Sequence, residues 1–193
     1  MFPEDSSDNI KRKGWIEIIT GSMFSGKTEE LIRRLKRAQL ANQNVEIFKP
    51  KIDKSFSTHK IISHDDKSII SKPVKIAANI LKLVTDAEVI GIDEAQFFDD
   101  GLVDVCNDLA NSGLRIIVAG LDMDFKGLPF GPIPELMACA EYITKLHAIC
   151  LRCGSLAQYS HRKSDTERLI LLGEQDEYEP LCRKCYLAAK SNK

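Results

Sequence analysis

Gly21-Ser22-Met23-Phe24-Ser25-Gly26-Lys27-Thr28 follows directly on the run Trp15-Ile16-Glu17-Ile18-Ile19-Thr20, and this pairing decides the fold. The run is rich in β-branched residues and ends at glycine. Beyond the octet, Thr28 to Ala41 sets Leu31, Ile32, Leu35, Ala38 and Leu40 at roughly helical spacing. Strand, loop and helix in that order, with G-x-x-x-x-G-K-[ST] between them, is the pattern of a phosphate-binding loop. Two glycines let the backbone curl so that successive N–H groups face phosphate oxygens, and the positive end of the following helix adds a favourable field. Lys27 is then expected at the β- and γ-phosphates of a nucleoside triphosphate, with the Thr28 hydroxyl as a Mg²⁺ ligand. An ordinary glycine-rich turn is the bland alternative, weakened by the strand before it and the helix after it. Arg33, Arg34, Lys36 and Arg37 read as a solvated helix face.

Working outward, Val45 to Phe48 reads as a second strand, and Lys49 to Lys72 is polar and broken. Short β-like pieces at Ile61-Ile62 and Ile69-Ile70 predict a mobile hairpin able to reach over a substrate. A helix from Ile76 to Val84, a strand Val89 to Ile92, a helix near Leu102–Ala110 and a strand Leu114 to Ala119 follow. Pro132 and Pro134 open another short helix, and Tyr142 to Ile149 reads as a further strand. This alternation predicts an α/β, P-loop NTPase-like parallel sheet with helices on both faces. Residues 1–13 read as a loose tail, 14–149 as the main domain, 150–187 as a small C-terminal subdomain and 188–193 as a second tail.

The second chemical signature is the apolar strand that ends in Asp93-Glu94-Ala95-Gln96. In open α/β sheets ligands bind at the C-terminal strand edge, which puts two carboxylates beside the phosphate loop. Asp93 fits a Mg²⁺ holder, and Glu94 fits a general base accepting the proton of an attacking hydroxyl. The same motifs also fit a nucleic-acid-dependent ATPase in which the glutamate activates water. Against that stand a length too short for two motor lobes and a charge balance of 27 Lys and Arg against 28 Asp and Glu. Near neutrality argues against nucleic acid or membrane partners and favours a small molecule.

Six cysteines in a chain whose start, Met1 to Asn9, is acidic and polar are expected as thiols or metal ligands in the cytosol rather than as disulfides. Cys150-x-x-Cys153 and Cys182-x-x-Cys185 have the pair spacing of a tetrahedral thiolate site, and structural Zn²⁺ is the stronger reading against redox pairing. Four thiolates leave no coordination position for water, so the metal would clamp the intervening loop without catalysing anything. A non-enzymatic zinc adaptor would share the knuckles but leaves the phosphate loop unexplained. Cys106 and Cys139 lack partners at ligand spacing and read as small core residues.

Together with Ile92-Asp93-Glu94-Ala95-Gln96-Phe97-Phe98, Gly120-Leu121-Asp122-Met123-Asp124-Phe125 and Pro129-Phe130-Gly131, these motifs resemble the bacterial type II, zinc-containing thymidine kinases over about residues 14–187. The resemblance implies a transfer from ATP to thymidine with Glu94 as base, an ATP site over Gly21–Thr28 and Asp93–Gln96, and a zinc-tethered lasso closing over thymine. It implies nucleoside packing by Phe97, Leu121, Phe125 and Phe130, a base-covering Tyr178, and Met23 and Ser160 near the thymine methyl. Asp53 looks like the acid that reaches toward the nucleoside or phosphates. Two positions later, Ser55 stands where many members carry arginine, leaving Lys51 or Lys54 to supply that charge. Arg162 is a candidate for substrate phosphates or a solvated side chain. Homotetramers and feedback inhibition by thymidine triphosphate are family features.

Overall fold

The computed structural model describes residues 13–51, 60–62, 68–164 and 177–191, so Asp53, Lys54 and Ser55 lie outside the described residues. So do residues 1–12 of the expected N-terminal tail and Leu169 to Leu172 of the expected lasso. Six parallel strands form the central sheet in the order β5-β2-β6-β7-β1-β8. They are β1 (Trp15–Gly21), β2 (Val45–Pro50), β5 (Lys72–Val74), β6 (Val89–Ile92), β7 (Arg115–Gly120) and β8 (Tyr142–Leu146). Between β2 and β5, β3 (Lys60–Ile62) and β4 (Ser68–Ile70) pair antiparallel as the hairpin read from sequence. β5 was not read as a strand from sequence. It is three residues long with Pro73 inside, which a sheet edge tolerates because the missing N–H is not needed there.

Strand alternation builds a core on each face. Ile16 and Ile18 of β1, Ile90 and Ile92 of β6, and Ile116 and Val118 of β7 pack with α2 (Ala78–Leu83), α3 (Leu102–Asn111) and α4 (Ile133–Cys139). Ile19, Val89, Ile117 and Ala119 point the other way, onto Leu31, Ile32, Leu35 and Ala38 of α1 (Lys27–Leu40). Gly91 brings α1 close, since a Cβ there would lie 2.7 Å from Leu35 Cδ1. Full burial of each such aliphatic side chain contributes about 1.5–3 kcal/mol, so the two-faced sheet is the rigid frame of the molecule.

Three details differ from the sequence reading. Arg34 is not solvated: it is mostly buried and bonded to Glu17 at 2.7 Å, Glu30 at 2.8 Å and the Thr144 hydroxyl at 2.9 Å. Glu17 is a buried carboxylate on β1 that also accepts from Arg115 at 2.6 Å and Trp15 Nε1 at 2.8 Å, and only tertiary pairing could have revealed its demand for arginine. Cys106 is buried in the core as expected, but Cys139 is exposed, at the last turn of α4. Leu40 likewise sits in water at the end of α1.

The C-terminal part holds two small antiparallel pairs, β9 (Ala148–Ile149) with β10 (Leu156–Ala157) and β11 (Tyr159–Arg162) with β12 (Tyr178–Leu181). Helix α5 (Arg183–Ser191) runs through residues 188–191, read from sequence as tail, because Tyr186 and Ala189 share one face and bury it. Among the described residues their core is minor: Ala148, Cys150, Ala157, Tyr159, Leu181, Tyr186 and Ala189. Tyr159 and Tyr186 stack in it with ring centroids 4.3 Å apart.

Candidate active site

The phosphate loop lies between β1 and α1 and takes the conformation its glycines permit. Gly26 has φ of 84°, a left-handed value that favours glycine, and a Cβ on Gly21 would come within 2.2 Å of the Leu146 carbonyl on β8. Phe24, at φ of 62°, carries a left-handed conformation without that freedom. Lys27 Nζ donates to the Ser22 carbonyl at 2.8 Å, folding its side chain back over the loop. Burial lowers the Lys27 ammonium below its ordinary range, opposed by Glu94, Asp93, Asp122 and Glu29. Among the described residues the buried Ser25 hydroxyl has no hydrogen-bond partner, and it would lie 2.9 Å from a Cβ on Gly21.

β6 delivers the acids to the same edge. Asp93 is buried, its backbone N–H donating to the Phe48 carbonyl of β2, and its Oδ2 stands 3.5 Å from Thr28 Oγ1. Burial, then the neighbouring Glu94 carboxylate, pushes the Asp93 carboxyl up to about 7, with Lys27 and Lys49 working the other way. A buried carboxylate held near a threonine hydroxyl is a donor set suited to a hard cation. Glu94 is exposed and left-handed, φ 51°, with its N–H bonded to Asp93 Oδ1 at 3.0 Å. Gln96 Nε2 donates to Glu94 Oε2 at 2.6 Å.

Residues expected at the nucleoside fall into separate groups. Phe97 and Phe130 meet edge to face, centroids 5.5 Å apart, and the Leu121 N–H donates to Gln96 Oε1 at 3.0 Å. Met23 in the phosphate loop donates its N–H to Ser160 Oγ at 2.9 Å, so loop and C-terminal hairpin are joined. Phe125 lies under the Arg162 guanidinium, 3.7 Å from ring centroid to Cζ, and Arg162 also donates to the Tyr178 hydroxyl. Arg162 is therefore buried between two aromatic side chains rather than solvated.

The four knuckle cysteines come together, with every Sγ within 4.8 Å of the others and Cys153 Sγ 3.5 Å from Cys182 Sγ. Metal–sulfur bonds of about 2.3 Å in a tetrahedron put sulfurs about 3.8 Å apart, so the cluster fits a thiolate-bound metal such as zinc. A hydrogen bond from Ser155 holds the Cys153 thiol down to about 6, while Cys185 is driven up to about 12 by its contacts with Cys153 and Cys182. Four thiols packed this closely need a cation before all can ionise. Both cysteine pairs were legible from spacing alone.

A model of the thymidine kinase family matches residues 14–186 of the chain. The chain belongs to the thymidine kinase family. It is 59% identical over 190 residues to a thymidine kinase of Bacteroides thetaiotaomicron, covering 98% of this chain and 96% of that one. It is 58% identical to one from Rhodothermus sp. over 90% of this chain and 81% of that one, and 55% identical to one from Porphyromonas gingivalis over 96% and 90%.

Within this thymidine kinase fold, two charged neighbours of the phosphate loop escaped the sequence reading. Asp122, buried after β7, pairs with Lys145 of β8 at 2.6 Å and bears on Lys27. Lys49, at the end of β2, bears on Asp93 and Glu94. The only signal available was their position at C-terminal strand ends, where α/β folds place ligands.

Proposed function

We infer that the chain transfers the γ-phosphoryl group of ATP to the 5′-hydroxyl of thymidine, and more slowly to deoxyuridine, giving the nucleoside monophosphate and ADP. The observation that carries this reading is convergence: Lys27, Thr28, Asp93 and Glu94 share one sheet edge, with Thr28 Oγ1 and Asp93 Oδ2 3.5 Å apart. The backbone of residues 21–28 holds the phosphates, and Lys27 turns from the Ser22 carbonyl to the β- and γ-oxygens. Glu94 accepts the 5′-hydroxyl proton, which sharpens the attacking oxygen. Bound by Thr28 and Asp93, Mg²⁺ would neutralise charge developing on the transferred group. Phe97, Leu121, Phe125, Phe130, Ser160 and Tyr178 form the nucleoside side, and Arg162 stiffens it from behind Phe125.

Cys150, Cys153, Cys182 and Cys185 would hold structural Zn²⁺, with residues 150–187 acting as a subdomain that grips the nucleoside. The family resemblance supports a cytosolic homotetramer inhibited by thymidine triphosphate. Among the described residues no helix is long and apolar enough to cross a membrane.

A nucleoside panel with labelled ATP tests the reading. Thymidine and deoxyuridine should be phosphorylated, and deoxycytidine should lag by about 10²-fold or more. A site that pairs thymine's N3–H donor and O4 acceptor leaves buried groups unpaired against cytosine at about 1–3 kcal/mol each. The missing methyl of deoxyuridine is worth only about 1 kcal/mol. Hydrolysis of ATP stimulated by single-stranded DNA, with no nucleotide product, would favour the motor reading instead.

A further inference from the structure

The glycines of two motifs, Gly120 in Gly120-Leu121-Asp122 and Gly131 in Pro129-Phe130-Gly131, have so far no role, and both press on the same side chain or its backbone. A Cβ on Gly120 would lie 2.9 Å from Gln96 Oε1, and a Cβ on Gly131, at φ of 53°, would lie 2.3 Å from the Gln96 carbonyl oxygen. Gln96 is buried, at 2% exposure, in the cradle these two glycines leave. Its amide is engaged at both ends by protein groups: Nε2 donates to Glu94 Oε2 at 2.6 Å, and Oε1 accepts from the Leu121 N–H at 3.0 Å. The assignment of oxygen and nitrogen follows from the partners, since a carboxylate can only accept and a backbone N–H can only donate.

We propose that Gln96 is the positioning residue of the catalytic base: it fixes the Glu94 carboxylate relative to the nucleoside wall at Leu121 and does not itself bind phosphate. Three observations converge on this role. Glu94 sits in a left-handed backbone conformation, φ 51° and ψ 38°, which a non-glycine residue keeps only where its surroundings hold it. Among the described residues three hydrogen bonds hold it: the Glu94 N–H to Asp93 Oδ1 at 3.0 Å, the Phe97 N–H to the Glu94 carbonyl at 3.1 Å, and the bond from Gln96, which alone of the three reaches the carboxylate. The second end of the amide is tied to the strand end that carries Leu121, so the base and the wall against which a sugar would lie move as one unit. A short bond to one carboxylate oxygen leaves the other to accept a proton from the 5′-hydroxyl, so Gln96 orients the base without blocking it. Gly120 leaves room for the Gln96 amide beside Ile133 Cδ1, which a Cβ there would meet at 2.6 Å, and Gly131 leaves room for the Gln96 backbone.

The proposal rests on Glu94 being the base, and the test separates the two claims. In Gln96→Met the amide is lost at similar volume, and kcat should fall about 10- to 100-fold with the KM for ATP unchanged. In Gln96→Glu a second carboxylate faces Glu94 and the pair shares a proton, so the acid limb of the kcat–pH profile should move up by about 1 unit or more. The position of that limb does not depend on the fraction of enzyme that folds. Combined with Glu94→Gln, Gln96→Met should cost little further, because its effect runs through the base. A Gln96→Glu profile superimposable on the wild type, or an undiminished loss from Gln96→Met in the Glu94→Gln background, overturns the proposal while leaving Glu94 as base. A Glu94→Gln enzyme with wild-type turnover overturns both.

Discussion

The phosphate-loop edge and the C-terminal cysteine unit hold their functional groups by different means. At the edge, Lys27 and Thr28 open α1 and Asp93 and Glu94 follow β6, elements whose side chains fill two large cores. Among the described residues of the C-terminal unit the core is small, and Ile149, Leu151, Leu156 and Leu187 are exposed around it. Cross-links replace the missing core: the four-cysteine cluster, the stacked Tyr159 and Tyr186, and Glu179, which accepts from both Arg152 at 2.6 Å and His161 at 3.0 Å. Small units with little apolar burial need such staples. The lesson is that damage to the edge should appear in turnover, and damage to the cysteine unit in nucleoside affinity and local stability.

The largest expected effect breaks the edge. Glu94→Gln keeps the side-chain shape but cannot take a proton, so kcat should fall by about 10²–10⁴ in steady-state assays while ATP still binds. Next comes the cysteine unit: metal analysis should find one zinc per chain, and Cys182→Ser should lose it and raise the thymidine KM about 10-fold, with ATP binding kept. Protein purified without chelator that carries no zinc would dissolve the contrast.

A smaller effect sharpens it. The Asp93 carboxyl is raised to about 7, above its unfolded value of about 3.9, so the folded chain holds this proton longer than the unfolded one. Stability without Mg²⁺ should therefore decline as pH rises from about 4 to about 7, the charged form being the one that burial penalises. Asp93→Asn should flatten that decline and raise the melting temperature at pH 8 by a few degrees, about 1–2 kcal/mol, while lowering activity. Thermal melts in Mg²⁺-free buffer across that range check the sign.

The same division explains what could be read from sequence. The phosphate loop, the acids after β6 and both cysteine pairs are contiguous or closely spaced, and their chemistry fixes their spacing. Strands β1, β6 and β7 were legible because continuous β-branched, apolar runs, buried on both faces, are local signals. What escaped were side chains whose role depends on a partner far along the chain. Arg34 needed Glu17 on another element, Lys145 needed Asp122, and Arg162 needed Phe125 and Tyr178. β5 escaped because three residues with a proline have no strand period of their own, and the end of α5 because its stabilising face is set by tertiary packing of Ala189.

The central claim is most directly tested by following the label of γ-labelled ATP with wild-type protein and Glu94→Gln in parallel, thymidine present. The wild type should place the label on the 5′-oxygen of thymidine, and Glu94→Gln should do so at least about 10²-fold more slowly. Label released as free phosphate at equal rates by both proteins, with none on thymidine, would contradict it.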